Sequence, residues 1–198
     1  MAIIVDKDKK RRDIALSCKD LLLECGIKDL TISQIAKQAS IGKGTIYEYF
    51  SNKEDIVFEI ITSFIEDNET RLEQVSEMNI STKEKIFSFY FLFFDDEIYK
   101  KQLNIYKEYL AISMINPTKK MIDFSQKSCK KFNDISNKII EEAISKGELK
   151  PESINIIRHL DIYHTGLAVE EQKRGINAKQ EIRNLLDSLF VLLEENHD

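Results

Sequence analysis

The stretch Thr31-Ile-Ser-Gln-Ile-Ala-Lys-Gln-Ala-Ser-Ile-Gly-Lys-Gly-Thr-Ile-Tyr-Glu-Tyr-Phe-Ser-Asn-Lys-Glu-Asp-Ile56 decides the fold of this chain. Its apolar positions describe two very short helices joined by a tight turn. Ile35, Ala36 and Ala39 share one face of a first helix, Ile41 sits in the turn, and Ile46 and Phe50 lie one helical turn apart on a second helix. Both can then plug into the first helix. Lys43, Gly44, Thr45, Tyr47, Glu48 and Tyr49 are left off the core or at its edge, where a recognition helix carries its base- and phosphate-contacting groups.

Start signals agree with that division. Thr31-x-x-Gln34 and Ser51-x-x-Glu54 are capping-box patterns for the first short helix and for a third, longer one. Gly42 and Gly44 flank Lys43, where missing side chains permit close approach to a phosphate.

With these residues in place, the stretch resembles the N-terminal domain of TetR-type transcriptional regulators. That pattern runs Thr, then Ile-Ala, then Ala-Gly-Val-x-x-Gly-Thr-x-Tyr-x-x-Phe, then Lys-Glu. The matching residues are Thr31, Ile35-Ala36, Ala39, Gly44-Thr45, Tyr47, Phe50 and Lys53-Glu54. Ser40 departs from it, standing where the family usually has glycine. Serine tolerates a left-handed backbone poorly, so a slightly altered turn with Gly42 sharing the strain is expected. The resemblance implies a small DNA-binding head on a larger helical body, a homodimer, and a small-molecule pocket among the middle helices whose filling releases DNA.

Composition fits an all-α protein. The 198 residues include only 6 glycines and 2 prolines, with long periodic apolar stretches between them. The net charge of −5 speaks against nucleic acid until its distribution is read: residues 1–53 hold ten Lys/Arg against seven Asp/Glu, and the remainder nineteen against twenty-seven. A basic segment on an acidic body suits a DNA-binding head. Cys18, Cys25 and Cys129 form no metal-like cluster and read as small buried hydrophobes in a reducing compartment. Ala2-Ile-Ile-Val5 is too short for a signal-peptide core, and the uncharged run from Ile86 to Phe94 is far short of a bilayer span, so a cytoplasmic protein without a membrane segment is expected.

About nine helices are expected, with a helix-turn-helix domain over 7–56 and a ligand-binding and dimerisation domain over 57–198. Lys7-Asp-Lys-Lys-Arg-Arg12 opens a helix with the stripe Ile14, Cys18, Leu21, Leu22 and Cys25, ended by Gly26. Its basic tip reads equally as a reach toward a DNA backbone or a solvated helix start. The connecting helix begins near Asn52 and carries Ile56, Ile60, Phe64 and Leu72. Ser81-x-x-Glu84 starts an aromatic-rich helix, and Asp95-Asp96-Glu97 opens the next, which stops before Pro117. A long helix follows to Lys146, closed by Gly147. The last two helices, 154–172 and 178–194, carry the stripes Ile157, Leu160, His164, Leu167, Ala168 and Ile182, Leu185, Leu186, Leu189, Leu192, Leu193.

Functional roles follow from these positions. One helix-turn-helix covers only a few base pairs, so a two-fold protein on a palindromic operator is expected. The last two helices, with Gly166 permitting close approach, are the expected dimer interface, although the same faces would also serve to complete a subunit core. Thr31 offers hydroxyl and amide to a phosphate, and Tyr47 and Tyr49 donate to phosphates. Lys43 and Thr45 are the base-edge candidates, and Gln34 suits an adenine or a phosphate. Lys53, matching the family's lysine, touches the DNA backbone by resemblance. In the body, Phe87, Tyr90, Phe91, Phe94, Tyr106, Tyr109, Phe124 and Tyr163 are candidates to line an apolar effector cavity, with His159 or His164 as a polar anchor. Aromatic residues at helical spacing equally build a core.

An enzyme is not expected. His159, His164 and His197 form no His-Glu-x-x-His arrangement, and there is no nucleophile elbow, phosphate loop or dinucleotide fingerprint. Asp161 lies between His159 and His164, but at helical spacing the three do not converge on one metal. No catalytic residue, metal or cofactor is assigned. The rival reading is a helical interaction or architectural protein without ligand control. The sequence is silent on repression against activation.

Overall fold

The computed structural model describes residues 6–94, 96–115, 117–157 and 159–194. Its helices are α1 (Lys7–Ser17), α2 (Lys19–Asp29), α3 (Ile32–Gln38), α4 (Lys43–Tyr49), α5 (Lys53–Glu77), α6 (Thr82–Phe91), α7 (Glu97–Ile115), α8 (Lys119–Ser145), α9 (Ser153–Ile157), α10 (Leu160–Arg174) and α11 (Ala178–Leu193). A 3-10 turn, Leu92–Phe94, continues α6. The described residues are all-α, and the expected helix count rises to eleven segments among them because two expected helices break. The first breaks at Cys18, whose φ/ψ of −102°/8° interrupts the ladder where no glycine or proline marks the sequence. The second is divided between α9 and α10, with His159 in the intervening turn.

The chain forms two compact units. One runs from α1 through Asp67 and takes in Asn104–Ile115; the other holds Asn68–Leu103 and everything from α8 onward. The geometric border inside α5 therefore falls at 67/68, beyond the 56/57 expected for a DNA-binding domain, because the helix-turn-helix needs the first half of α5 as its floor. Ile56, Ile60 and Phe64 are buried there with Ile14, Leu22, Ile35 and Ile46. Both α5 and α7 contribute residues to each unit.

In the first unit, ion pairs and caps fix the helices. Arg11 donates through Nε to Glu59 at 3.2 Å and through Nη1 to the Tyr49 carbonyl at 2.6 Å, while its guanidinium lies 4.3 Å over the Phe50 ring. It thereby closes the C-terminal end of α4. Arg12 pairs with Glu66 at 2.5 Å. The basic tip divides accordingly: both arginines are committed to partners within the unit, and Lys7, Lys9 and Lys10 stay exposed. Gly26 breaks α2 with φ 76°, and Glu108 of α7 accepts from the Ile27 amide at 2.8 Å just beyond it. A side chain at Gly26 would collide with that carboxylate, 2.6 Å from the new Cβ. Phe58 and Tyr109 meet edge to face at 5.7 Å.

The second unit is a helical body in which α6 packs against α8 and α11, and α10 against α9 and α11. Phe87, Phe89, Tyr90 and Phe94 are buried, as are Ile139, Ile140, Leu160, Leu167, Ile182, Leu186, Phe190 and Leu193. Arg183 of α11 pairs with Glu84 and stacks 3.5 Å from the Phe87 ring centroid. Gly147, at φ 71°, ends α8 with the paired bonds Gly147 N–H to Ile144 O and Glu148 N–H to Ala143 O.

Several local expectations need correction. The capping box expected at Ser51 and Glu54 gives way to an asparagine cap one residue later: Asn52 Oδ1 accepts from the Asp55 amide at 2.8 Å, and the buried Asp55 carboxylate accepts from Ser51 N–H at 3.2 Å. Asparagine caps as well as serine does, and the shift places the reaching carboxylate inside the unit. Of the cysteines read as buried, Cys18 is, Cys25 is half-buried and Cys129 is exposed. Burial pushes the Cys18 and Cys25 thiols above their ordinary range, which disfavours the reactive thiolate. Leu192, placed on the apolar stripe of α11, is 66% exposed. Asp95 and His197, together with the side chain of Ile157, lie outside the described residues. No helix among the described residues is long and apolar enough to cross a membrane.

Candidate nucleic-acid interface and a cavity in the body

The helix-turn-helix is built as its sequence requires. Thr31 caps α3, its side chain accepting from Gln34 N, and the Gln34 carboxamide closes the box by accepting from Thr31 N–H at 2.8 Å. At the other end, Ser40 N–H reaches the Lys37 carbonyl and Ile41 N–H the Ala36 carbonyl, the paired bonds of a left-handed helix stop. Ser40 takes the left-handed residue's place with φ 55°, whereas Gly42 is extended at φ −70° and carries none of that strain. A non-glycine residue there costs roughly 1–2 kcal/mol. Burying Ile46 and Phe50 returns roughly 1.5–3 kcal/mol each, so packing dictates the turn.

α4 then buries Ile46 and turns Lys43, Gly44, Tyr47 and Glu48 outward, with Thr45 and Tyr49 half-exposed. Tyr47 is 60% exposed despite its large ring. A Cβ added at Gly44 meets no atom within 4 Å, so nothing in the free chain requires glycine there. Other sequence candidates are already engaged. Thr31 directs both its amide and its hydroxyl at Gln34 Oε1, at 2.8 and 2.6 Å, which occupies the donors expected to meet a phosphate. Lys53 Nζ donates to the carbonyls of Ile27 and Lys28, at 2.8 and 3.3 Å. It closes the end of α2 opposite the Glu108 carboxylate.

The body contains a small cavity of about 10 Å³ lined by Tyr90, Leu160, Tyr163, His164, Ile182, Leu185 and Leu186. That is room for a single water. Rings of Tyr90, Phe93, Phe94 and Phe132 surround the His164 imidazole, with centroids 5.4 to 6.1 Å away. His164 as a whole is half-buried, but its Nε2 is sealed from solvent and has no hydrogen-bond partner among the described residues. Burial pulls this imidazole down to about 4, against a smaller upward pull from a hydrogen bond to the Tyr90 backbone. The ring is neutral at pH 7, and its buried Nε2 stays unpaired. The Tyr90 hydroxyl donates to Asp161 Oδ1 at 3.0 Å. Burial, outweighing this bond, pushes the Asp161 carboxyl up to about 6. Burial first, and the Asp161 charge second, raise the Tyr90 phenol.

Of the aromatic candidates, the structure brings Tyr90, Phe94, Tyr163 and His164 together. Tyr106 and Tyr109 stack on each other at 6.1 Å in the first unit. Phe87 and Phe91 stack at 5.4 Å beneath Arg183 and Lys179 of α11. Phe124 is half-buried on α8 and is not a wall of the cavity, and His159 is exposed, its Nδ1 at 2.7 Å from the Asn155 carbonyl. Sequence reading missed Phe132 as a wall of the aromatic box and Asp161 as the Tyr90 partner. A signal for Asp161 existed in its spacing of three from His164 on one helix.

Two short helices joined by a left-handed stop, with a polar outer face on the second, define a helix-turn-helix DNA-binding protein. Residues 19–60 match the model of the family described as bacterial regulatory proteins, tetR family. YhgD of Bacillus subtilis, an HTH-type transcriptional regulator, is 26% identical over 145 residues, 73% of either chain. A TetR transcription regulator from Haloarcula marismortui superposes with a TM-score of 0.77 at 14% identity, covering 95% of this chain and 100% of that one. SmeT, in complex with triclosan, gives 0.70 at 18% identity over 96% and 93%. The N-terminal helix-turn-helix is thus a TetR-family DNA-binding domain, and the chain has the fold of TetR-type regulators.

Proposed function

We propose that this protein is a repressor that binds a palindromic operator as a homodimer in the cytoplasm and leaves it when a small, largely apolar effector enters the body. The observation that carries the DNA role is Gly44: it is exposed, helical and unconstrained from within, beside exposed Lys43 and Tyr47. A glycine without an internal reason belongs to a surface that another backbone approaches closely. Lys43 and Thr45 read base edges, and Tyr47 and Tyr49 hold phosphates. Thr31 and Gln34 join them once the capping box opens toward a phosphate, while Lys53 acts through the α2 end that it closes.

Dimerisation is supported by α10 and α11. Ile162, Gly166 and Val169 follow one stripe of α10; Ile162 and Val169 are 72% and 42% exposed, and Gly166 has open space above it. Val191 and Leu192 on α11 are 79% and 66% exposed. Isolated exposed apolar residues need no explanation, but an ordered stripe of them on two paired helices does. Effector control is supported by the buried aromatic box and by the triclosan bound to SmeT.

Selection of bound duplexes from random DNA tests the reading. Inverted repeats with steeply salt-dependent affinity are expected. Enrichment of no sequence would favour an interaction protein instead.

A further inference from the structure

We infer that Glu48 reads a base directly, selecting one cytosine in each half of the operator by accepting from the cytosine N4 amino group. The inference rests on the operator binding proposed above and deepens it.

The place of Glu48 on α4 is the first argument. Successive helical residues turn by about 100°, so Gly44 and Glu48, one turn apart, share a face. Ile46, midway between them in the chain, is buried on the opposite side. Tyr47 and Tyr49 stand to either side of the Gly44–Glu48 face. A helix laid in the major groove turns the face opposite its core most directly to the base edges. Gly44 removes bulk from the middle of that face, with open space above it. Glu48 carries a carboxylate outward one turn later.

Its charge is the second argument. A carboxylate is repelled by phosphates and by the negative C-terminal end of a helix, and Glu48 sits in the last turn of α4. Nothing within the protein offsets this: Glu48 is exposed and has no ion-pair or hydrogen-bond partner among the described residues. On DNA the offset comes from a proton donor on a base edge. An ionised carboxylate only accepts, and the major groove offers two donors, cytosine N4–H2 and adenine N6–H2. The adenine amino group lies between its own N7 and the thymine O4, both acceptors that repel a carboxylate oxygen. The cytosine amino group has such a neighbour, guanine O6, on one side alone. Cytosine is therefore the base that Glu48 selects.

The test selects duplexes from random DNA with full-length wild type, Glu48→Gln and Glu48→Ala, each checked for unchanged helical circular dichroism. The wild-type motif should carry a cytosine in each half, favoured roughly five- to a hundredfold over other bases. In Glu48→Gln that position should change to adenine, because a carboxamide meets N6 and N7 together. In Glu48→Ala it should accept any base with the rest of the motif kept, while affinity for unrelated duplex rises as a negative charge leaves. Replacing the cytosine by 2-pyrimidinone, which lacks the N4 amino group, should weaken the wild type roughly fivefold more than Glu48→Ala. An identical motif in all three proteins, tighter binding of Glu48→Ala to every sequence alike, or a Glu48-dependent position other than cytosine overturns the inference and leaves operator binding standing. So does a wild type indifferent to loss of the amino group at every cytosine of its motif, whether or not the variants fold. A wild type that enriches no sequence overturns operator binding itself, and the role of Glu48 falls with it.

Discussion

At Ser40 one backbone angle separates this turn from the glycine-bearing pattern that it resembles. The left-handed φ of 55° is imposed by the paired helix-stop bonds and by the burial of Ile46 and Phe50, so the serine bears the conformational cost alone. Ser40→Gly should stabilise the protein by about 1 kcal/mol, read as a rise of a few degrees in Tm; an unchanged Tm would show that Ser40 is not strained. His164 and Asp161 make a second residue-scale argument, because their titrations act in opposite directions. His164, held at about 4 instead of 6.5, lends stability that is complete above pH 6.5 and is lost as pH falls through about 4, roughly 3 kcal/mol in all. Asp161, raised from 3.8 to about 6, lends stability that is complete below pH 3.8 and is lost as pH rises through about 6. Its side of the balance is smaller, since the residue is half-exposed and screened. Asp161→Asn should steepen the gain in urea midpoint between pH 4 and 6.5, and His164→Gln should reverse it to a decline. Identical slopes in the two variants would remove the account.

Among the elements, α4 separates what stabilises the fold from what serves a partner. Gly44→Ala adds a better helix former in open space and should leave stability unchanged or raise it by up to ~1 kcal/mol. Operator affinity should fall at least tenfold by gel shift; a variant that binds as well as the wild type would strip Gly44 of its role. This element was legible in the sequence because its determinants are local: periodicity placed Ile46 and Phe50 inward, and the capping box at Thr31 and Gln34 closed as the spacing required. Features set by distant residues were not legible. The break at Cys18 carries no proline or glycine, and the charges of Arg11 and Arg12 are taken by Glu59 and Glu66, 48 and 54 positions away. The cap at the start of α5 moved from Ser51 to Asn52 through the burial of Asp55. In the body, the stripe Leu160, His164, Leu167, Ala168 could be read along α10, but Phe132 joins the His164 box from α8, and no periodicity within one helix reveals a neighbour on another.

For the whole molecule, the question is why one recognition helix of seven residues should suffice for a regulator. Alone it does not: a single short reader contacts a few base pairs, and this chain's net charge of −5 adds no general attraction to DNA. The proposed two-fold assembly would answer this, since binding of the first head raises the effective concentration of the second at its half-site. The proposed assembly would also cover the α10 stripe of Ile162, Gly166 and Val169, which the isolated subunit leaves in solvent. Placing Glu at both Ile162 and Val169 sets like charges against each other across a two-fold axis while leaving the buried faces of Leu160, Leu167 and Ala168 untouched. The double variant should sediment as a monomer, retain its helical circular dichroism, and bind a palindromic operator at least a hundredfold more weakly. Its affinity for an isolated half-site should match the wild type within about twofold, because the helix-turn-helix is unaltered. If it remains dimeric, the interface lies elsewhere; if it becomes monomeric yet binds the palindrome undiminished, the head recognises DNA without its twin and the symmetry argument fails.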